Sequence, residues 1–134
     1  MRGDIKMKRL IIPLFCLAIL LVGSAIFFIS NYGGKEKIKE FSLNEYSDYI
    51  QRFPSDRKTD TVETAKMAKV EAEKIWVEIY GEQVKNRKPY NVFYDNKSGV
   101  WLIKGSLRNG EDGGVPYILI RKLDGRVLAV WHDK

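Results

Sequence analysis

The chain has little of the chemistry that small enzymes and metal proteins use. Among its 134 residues it has one cysteine, Cys16, and one histidine, His132. A single cysteine excludes a disulfide within the chain and a cysteine-based zinc site. His132 is followed by Asp133, but neighbouring residues of a strand point to opposite faces, so the pair is not arranged as a general base with its orienting partner. We therefore predict no enzyme activity, no metal site and no cofactor.

The charge pattern also argues against a nucleic-acid-binding protein. The net charge is +6, but basic residues alternate with acidic ones and form no stripe. Proteins that bind nucleic acid usually collect their basic residues on one face. We expect a surface of mixed charge and no nucleic-acid partner.

The longest apolar stretch lies near the N-terminus. Residues 10–30, LIIPLFCLAILLVGSAIFFIS, contain no charged residue and follow a basic tail at residues 1–9. An uncharged helix of this length can cross a bilayer core of roughly 30 Å. The positive-inside rule places the tail in the cytoplasm. We predict a single-pass membrane anchor, with the C-terminal domain outside the cytoplasm. A cleaved signal peptide is the alternative, because the small residues Gly23 and Ala25 could precede a cleavage site.

A linker at residues 31–40 and a domain at residues 41–134 are predicted to follow the anchor. A short helix is expected from Ser42, its predicted N-cap, to Phe53, because Pro54 stops it. A longer helix is expected to begin at Asp60, whose D-x-x-E spacing to Glu63 is typical of a helix start, and to end at Gly81. Its apolar residues fall on one helical face: Val62, Ala65, Ala68, Ala72, Ile75, Trp76 and Ile79.

Four strands are expected after Pro89. Apolar alternation predicts them at residues 90–94, 100–106, 115–121 and 126–132, which form an antiparallel meander of two hairpins. Five glycines fall where the chain must turn or bend, and we assign them structural roles: Gly99, Gly105, Gly113, Gly114 and Gly125.

Both faces of the predicted sheet are apolar. Val127, Ala129 and Trp131 alternate with Leu128 and Val130 in the last strand. Such a sheet is either strongly curved or covered on its second face. We predict an α+β fold in which helices pack on a curved antiparallel sheet, the cone of nuclear-transport-factor-2-like and cystatin-like proteins.

The second half of the chain adds a family resemblance. Residues 75–107, IWVEIYGEQVKNRKPYNVFYDNKSGVWLIKGSL, and residues 113–132, GGVPYILIRKLDGRVLAVWH, carry it. In order and spacing these motifs resemble small bacterial immunity proteins with a nuclear-transport-factor-2-like fold, over about residues 65–134. The resemblance implies a protein of a polymorphic toxin system that binds and neutralises a cognate protein toxin. With the predicted anchor, it also implies the bacterial inner (cytoplasmic) membrane, with the C-terminal domain on the periplasmic or extracellular side.

Period-2 alternation selects candidate binding residues on the strands. The face that carries Lys104 and Arg121 is expected to be the outer one, so we predict that Tyr117 and Arg121 contact a partner, together with Lys104 and His132. His132 is otherwise a residue of the surface or the sheet end. An exposed sheet face would also allow a homodimer.

Two other classes of function remain open. The interior of a cone can hold a small molecule or a reaction, but the interior candidates here are aromatic or aliphatic: Trp76, Tyr80, Trp101, Ile103 and Tyr117. An open cavity with a polar group inside would favour this alternative. The other is an envelope scaffold or a cystatin-like protease inhibitor.

Overall fold

The computed structural model describes residues 35–134. The predicted anchor at residues 10–30, and the tail before it, lie outside the described residues. Within residues 35–134, no helix is both long enough and apolar enough to span a bilayer. In chain order the elements are β1 (Ile38–Glu40), a 3-10 turn (Leu43–Tyr46), α1 (Ser47–Arg52), α2 (Ala65–Tyr80), a second 3-10 turn (Glu82–Arg87), β2 (Asn91–Asp95), β3 (Val100–Lys104), β4 (Pro116–Arg121) and β5 (Val127–His132).

Helix α2 packs on the sheet through its small residues. Ala68 and Ala72 have no exposed surface, so the helix backbone comes close to the strands. Trp76, also fully buried, fills the wider space near the end of the helix. Gly81 ends α2 with a φ of 93°, a conformation that residues with a Cβ rarely adopt. The predicted end of this helix is confirmed.

The predicted beginning of α2 is wrong. The helix begins at Ala65, and the Thr64 side chain caps it by accepting a hydrogen bond from the Met67 amide, at 3.2 Å. Asp60 lies in a bend. The residues around it are bound to the β4–β5 turn: the Thr59 amide donates to the Gly125 carbonyl, and the Val62 amide to the Lys122 carbonyl, each at 2.9 Å. These bonds hold the chain in a non-helical conformation at the residues that the D-x-x-E pattern assigned to the first helical turn.

This correction gives a stability prediction. Thr64→Ala is expected to lower the free energy of unfolding by about 1 kcal/mol, because it leaves a helix N–H without its cap. Asp60→Ala, at an exposed residue that is not the cap, is expected to change it by less than about 0.5 kcal/mol. Urea unfolding of both variants measures the difference. A larger loss in Asp60→Ala than in Thr64→Ala would restore the earlier helix start.

The predicted cap of the first helix is also wrong. Ser42 precedes the 3-10 turn, but its side chain makes no capping hydrogen bond. The α-helical part begins only at Ser47, as α1.

The sheet has one strand more than the sequence predicted. Its order is β1–β2–β3–β4–β5; the last four strands form the expected antiparallel meander, and β1 pairs in parallel with β2. Strand β1 occupies residues 38–40 of the predicted linker. Its three residues, Ile38, Lys39 and Glu40, are all exposed, so no hydrophobic pattern marks it as a strand.

One face of the sheet is covered and the other is partly covered, as one of the two expectations for an apolar sheet required. Helix α2 covers one face, where Trp101, Ile103 and Ile118 are buried. Residues 41–53 cover part of the other face, through five side chains that pack on Leu102, Leu119 and Trp131. These five are Phe41, Leu43, Tyr46, Ile50 and Phe53.

The alternation predicted for β5 is interrupted. Leu119 pairs with Ala129, but the next residue, Ile120, pairs with Val127, so Leu128 is an extra residue on β5. An inserted residue of this kind is a β-bulge and rotates the strand around it. Val127 therefore faces α2, whereas Ala129 and Trp131 lie on the opposite face.

Two of the five predicted structural glycines lie at close backbone approaches. A Cβ on Gly125, which has a φ of 68°, would lie 2.2 Å from the Asp60 carbonyl oxygen. A Cβ on Gly114 would lie 1.5 Å from the carbonyl oxygen of Asp133. Side chains at these positions would separate the β4–β5 turn and the loop before β4 from the segments they touch. The other three lie in the β2–β3 turn, after β3 and in the loop before β4: Gly99, Gly105 and Gly113.

Candidate functional site

The four predicted binding residues do not form one surface. Lys104 and Tyr117 are paired across β3 and β4. Arg121 lies four residues further along β4, about 13 Å away at the usual rise of a strand. His132 is on the face toward α2, where its ring packs edge-on against Tyr80 at 5.5 Å between centroids.

Arg121 and His132 have partners within the chain. The Arg121 guanidinium donates to both carboxylate oxygens of Asp124, at 2.9 and 2.6 Å. This pair holds the pKa of Asp124 well below its ordinary value and closes the β4–β5 turn. His132 Nδ1 lies 2.6 Å from the Asp133 carbonyl oxygen. Both residues thus support the ends of the sheet.

Lys104 and Tyr117 lie on the part of the second sheet face next to the N-terminal cover. The Lys104 ammonium is 5.1 Å from the centroid of the Tyr117 ring, within the range of a cation–π interaction. The Tyr117 ring stacks on Trp131, 5.0 Å between centroids and 10° between planes. Its hydroxyl donates to Asp133 Oδ2 at 2.8 Å. Tyr117 is therefore held in place by three neighbours and is partly exposed.

A second lysine and aromatic pair lies beside the first. Lys39 of β1 is 5.5 Å from the centroid of the Phe93 ring on β2. Phe93 pairs with Leu102, two residues before Lys104 on β3, so both pairs are on one face. We name Lys39, Phe93, Lys104 and Tyr117 the aromatic platform. It joins two lysines with two half-buried rings, and of these only the aromatic rings are of a type enriched at binding surfaces.

Several tyrosines have raised pKa values. Burial, followed by the Asp133 carboxylate, raises the pKa of Tyr117; burial and then Glu73 raise that of Tyr90. Burial also raises the pKa of Tyr80 and, against the field of Lys104, that of Tyr46.

Stability is expected to fall in alkali as a result. A tyrosine with a raised pKa in the folded state stabilises the fold fully below its unfolded pKa, near 10, and loses this contribution as the pH rises further. The free energy of unfolding should decrease from about pH 10 upward. Urea unfolding from pH 8 to 11.5 measures it. Tyr90→Phe and Tyr117→Phe should each flatten the decrease, and an unchanged slope in both would contradict the assignment.

A groove on the other side of the domain was not predicted. It encloses about 590 Å³ between the first turns of α2 and the segment that leads into β2. Its lining combines lysines with apolar side chains: Lys66, Lys69, Val70, Glu73, Lys88, Pro89 and Tyr90. Strand and helix patterns do not reveal it, because its two walls are distant in sequence. The available signal was Val70 together with Met67, two apolar residues on the outward side of α2.

The space between α2 and the sheet is filled. Trp76 and Ile103 have no exposed surface, and Trp101 is buried beside them. Tyr117, expected with them, lies on the opposite face. Every buried side-chain nitrogen and oxygen atom within residues 35–134 has a hydrogen-bond partner. The interior of the described domain thus offers a ligand neither room nor a free polar group.

Comparison with known families decides the relationship that the sequence suggested. A family model described as NTF2 fold immunity protein matches residues 67–134, just over half of the chain. The chain belongs to the NTF2 fold immunity proteins. Neither the curated proteins nor the solved structures gave a significant match.

The matched range of this immunity protein includes only part of each candidate surface. It includes β2 to β5 and most of α2, hence Phe93, Lys104 and Tyr117 of the platform. Strand β1 and α1 precede it, as does Lys66 in the groove. The two candidate surfaces are therefore built partly from the matched range and partly from residues outside it.

Proposed function

We propose that this immunity protein binds a cognate bacterial protein toxin and neutralises it by stoichiometric association. The observation that carries the proposal is the family match over residues 67–134. An immunity protein of this kind acts as a binding protein, so its essential feature is a surface that covers the functional surface of the toxin.

The described surface supports a binding role. The aromatic platform offers two cations over two rings, and the groove offers cations around apolar side chains. Aromatic side chains are enriched at interfaces and dominate their energetics. The ligand-carrier alternative required an open polar cavity, and the packing of Trp76 and Trp101 gives it no support.

We also propose that the protein acts at the membrane. The proposal rests on residues 10–30, whose uncharged sequence is long enough to span a bilayer, and on the basic residues before them. The domain would then meet the toxin outside the cytoplasm, before the toxin reaches its target.

Affinity capture and survival test the proposal together. The tagged full-length chain is recovered from membranes of the producing strain and its close neighbours, and bound proteins are identified by mass spectrometry. We expect one partner with a toxin domain, at a fixed molar ratio. Co-expression of that domain in a bacterial host should kill cells that lack the immunity protein and spare cells that contain it.

Each part of the proposal has its own contrary outcome. Cell death that the immunity protein does not prevent would contradict neutralisation. Recovery of the chain only from the soluble fraction would contradict the tether. The intact mass of the purified chain separates an anchor from a cleaved signal peptide, because cleavage removes the apolar residues.

A further inference from the structure

The groove beside α2 has an apolar floor that nothing in the described domain covers. Val70 is 47 % exposed, and Met67, one turn earlier on the same side of α2, is 41 % exposed. Polar residues normally occupy the outward face of such a helix. Pro89 and Tyr90 continue the apolar surface across the groove. Exposed apolar surface with a polar rim is typical of a protein interaction site.

The rim of the groove is positive. Its lining contains three lysines, Lys66, Lys69 and Lys88, and one acidic residue, Glu73. Lys69 pairs with Glu36. Lys66 has no ion-pair partner within the described part of the chain. The lining thus carries a surplus of positive charge that is open to solvent.

Glu73 offsets the charge of Lys88, with which it pairs. Glu36 likewise offsets that of Lys69, so the surplus charge in the groove is that of Lys66. Glu73 Oε2 accepts hydrogen bonds from the Tyr90 hydroxyl at 2.7 Å and from the Lys88 ammonium at 2.9 Å. Burial alone would raise the pKa of Glu73, but these two bonds outweigh it and lower the pKa. The same bonds fix the Tyr90 ring as a rigid wall of the groove.

We propose that this groove receives a segment of the toxin in which an apolar side chain is flanked by acidic residues. The apolar side chain would lie on Val70, Pro89 and Tyr90, and the carboxylates would meet Lys66 and the neighbouring lysines. The inference rests on the proposed function, since it names the chemistry of the partner at one surface. The concave shape favours an inserted side chain over the flat surface of a bilayer.

A pair of charge-matched variants of the full-length chain tests the groove. Lys66→Glu/Val70→Glu changes a lysine and an exposed apolar residue in the groove, and neither position loses a described ion pair. Glutamate also favours a helix more than valine does, so α2 should be retained. Lys58→Glu/Leu123→Glu is the control. It makes the same change in charge away from the groove, at an exposed lysine and at Leu123, which is 81 % exposed.

Binding is measured by calorimetry with the toxin domain that the unsubstituted chain captures. We expect the groove variant to raise Kd at least about tenfold, through repulsion and loss of apolar contact, and the control to change it less than about threefold. Added salt should weaken the unsubstituted complex more than the groove variant, because salt screens exposed charges.

The outcomes separate the inference from the function on which it rests. Equal affinity of the groove variant and the unsubstituted chain would overturn the groove as the docking site and leave toxin binding intact. An equal loss in both variants would assign the effect to overall charge and would also overturn it. If the unsubstituted chain bound no toxin domain, the proposed function would fail and the inference with it. Loss of cosedimentation with phosphatidylglycerol vesicles in the groove variant alone, with toxin binding retained, would assign the groove to the membrane.

Discussion

Removal of residues 1–53 is expected to abolish cooperative folding of the domain. Five side chains of this segment, Phe41, Leu43, Tyr46, Ile50 and Phe53, pack on the sheet face opposite α2. At about 1 kcal/mol or more for each partly buried side chain, their loss is several kcal/mol. The whole domain is expected to have only about 5–15 kcal/mol of stability. A chain that begins at Pro54 should bind the dye ANS and show no sharp urea transition.

Trp131 would be the residue most affected by this truncation. Its ring packs on Tyr49 at 4.7 Å and on Tyr46 at 5.9 Å between centroids, and it is only 4 % exposed. Without these neighbours one side of the ring would face water, and Leu119 beside it would be uncovered. Exposed apolar surface of this size promotes aggregation.

The matched control is a chain that begins at Glu36. It retains β1, α1 and all five covering side chains, so it should unfold in one transition. If the chain that begins at Pro54 unfolded at the same urea concentration, the second-face cover would contribute nothing to stability. Because the family match begins at residue 67, we also expect that the matched range, residues 67–134, does not fold on its own.

The sequence predicted the elements whose signals are local. Gly81 ends α2 and Gly125 lies in the β4–β5 turn, and both were predicted because a positive φ is a local backbone requirement. The predicted start of α2 was wrong because Thr59 and Val62, on either side of Asp60, bond to a turn sixty or more residues later. Strand β1 was missed because its pairing with β2 is tertiary and its side chains are all exposed.

The candidate surfaces also differ in how far local sequence patterns could predict them. Alternation placed Lys104 and Tyr117 on one face, as the structure does. It gave no information on distance along the sheet, so Arg121 was grouped with residues about 13 Å away. His132 was grouped with them although it lies on the opposite face, toward α2. The groove required the contact between α2 and the chain before β2, which no pattern within either segment encodes.

Trp101→Ala is expected to lower the free energy of unfolding by about 3–5 kcal/mol, because it removes a large buried ring. The Trp101 ring is buried between β3 and α2 and packs on Tyr94 at 4.5 Å between centroids. Its Nε1 donates to the Val62 carbonyl at 2.8 Å, and this bond is buried. Alanine would leave a cavity and a buried carbonyl without this partner. Urea unfolding followed by circular dichroism measures the loss.

The effect should extend from the core to the groove. Val62 lies just before α2, so its bond to Trp101 fixes the chain from which Lys66 and Val70 project. Trp101→Phe keeps most of the ring but removes the donor, and it should lose about 1–3 kcal/mol. Leu123→Ala, at a residue 81 % exposed, is the surface control and should change stability by less than about 0.5 kcal/mol. A Trp101→Ala variant as stable as this control would mean that the ring neither fills the core nor holds Val62. The start of α2 would then depend on the Thr64 cap and the β4–β5 turn alone.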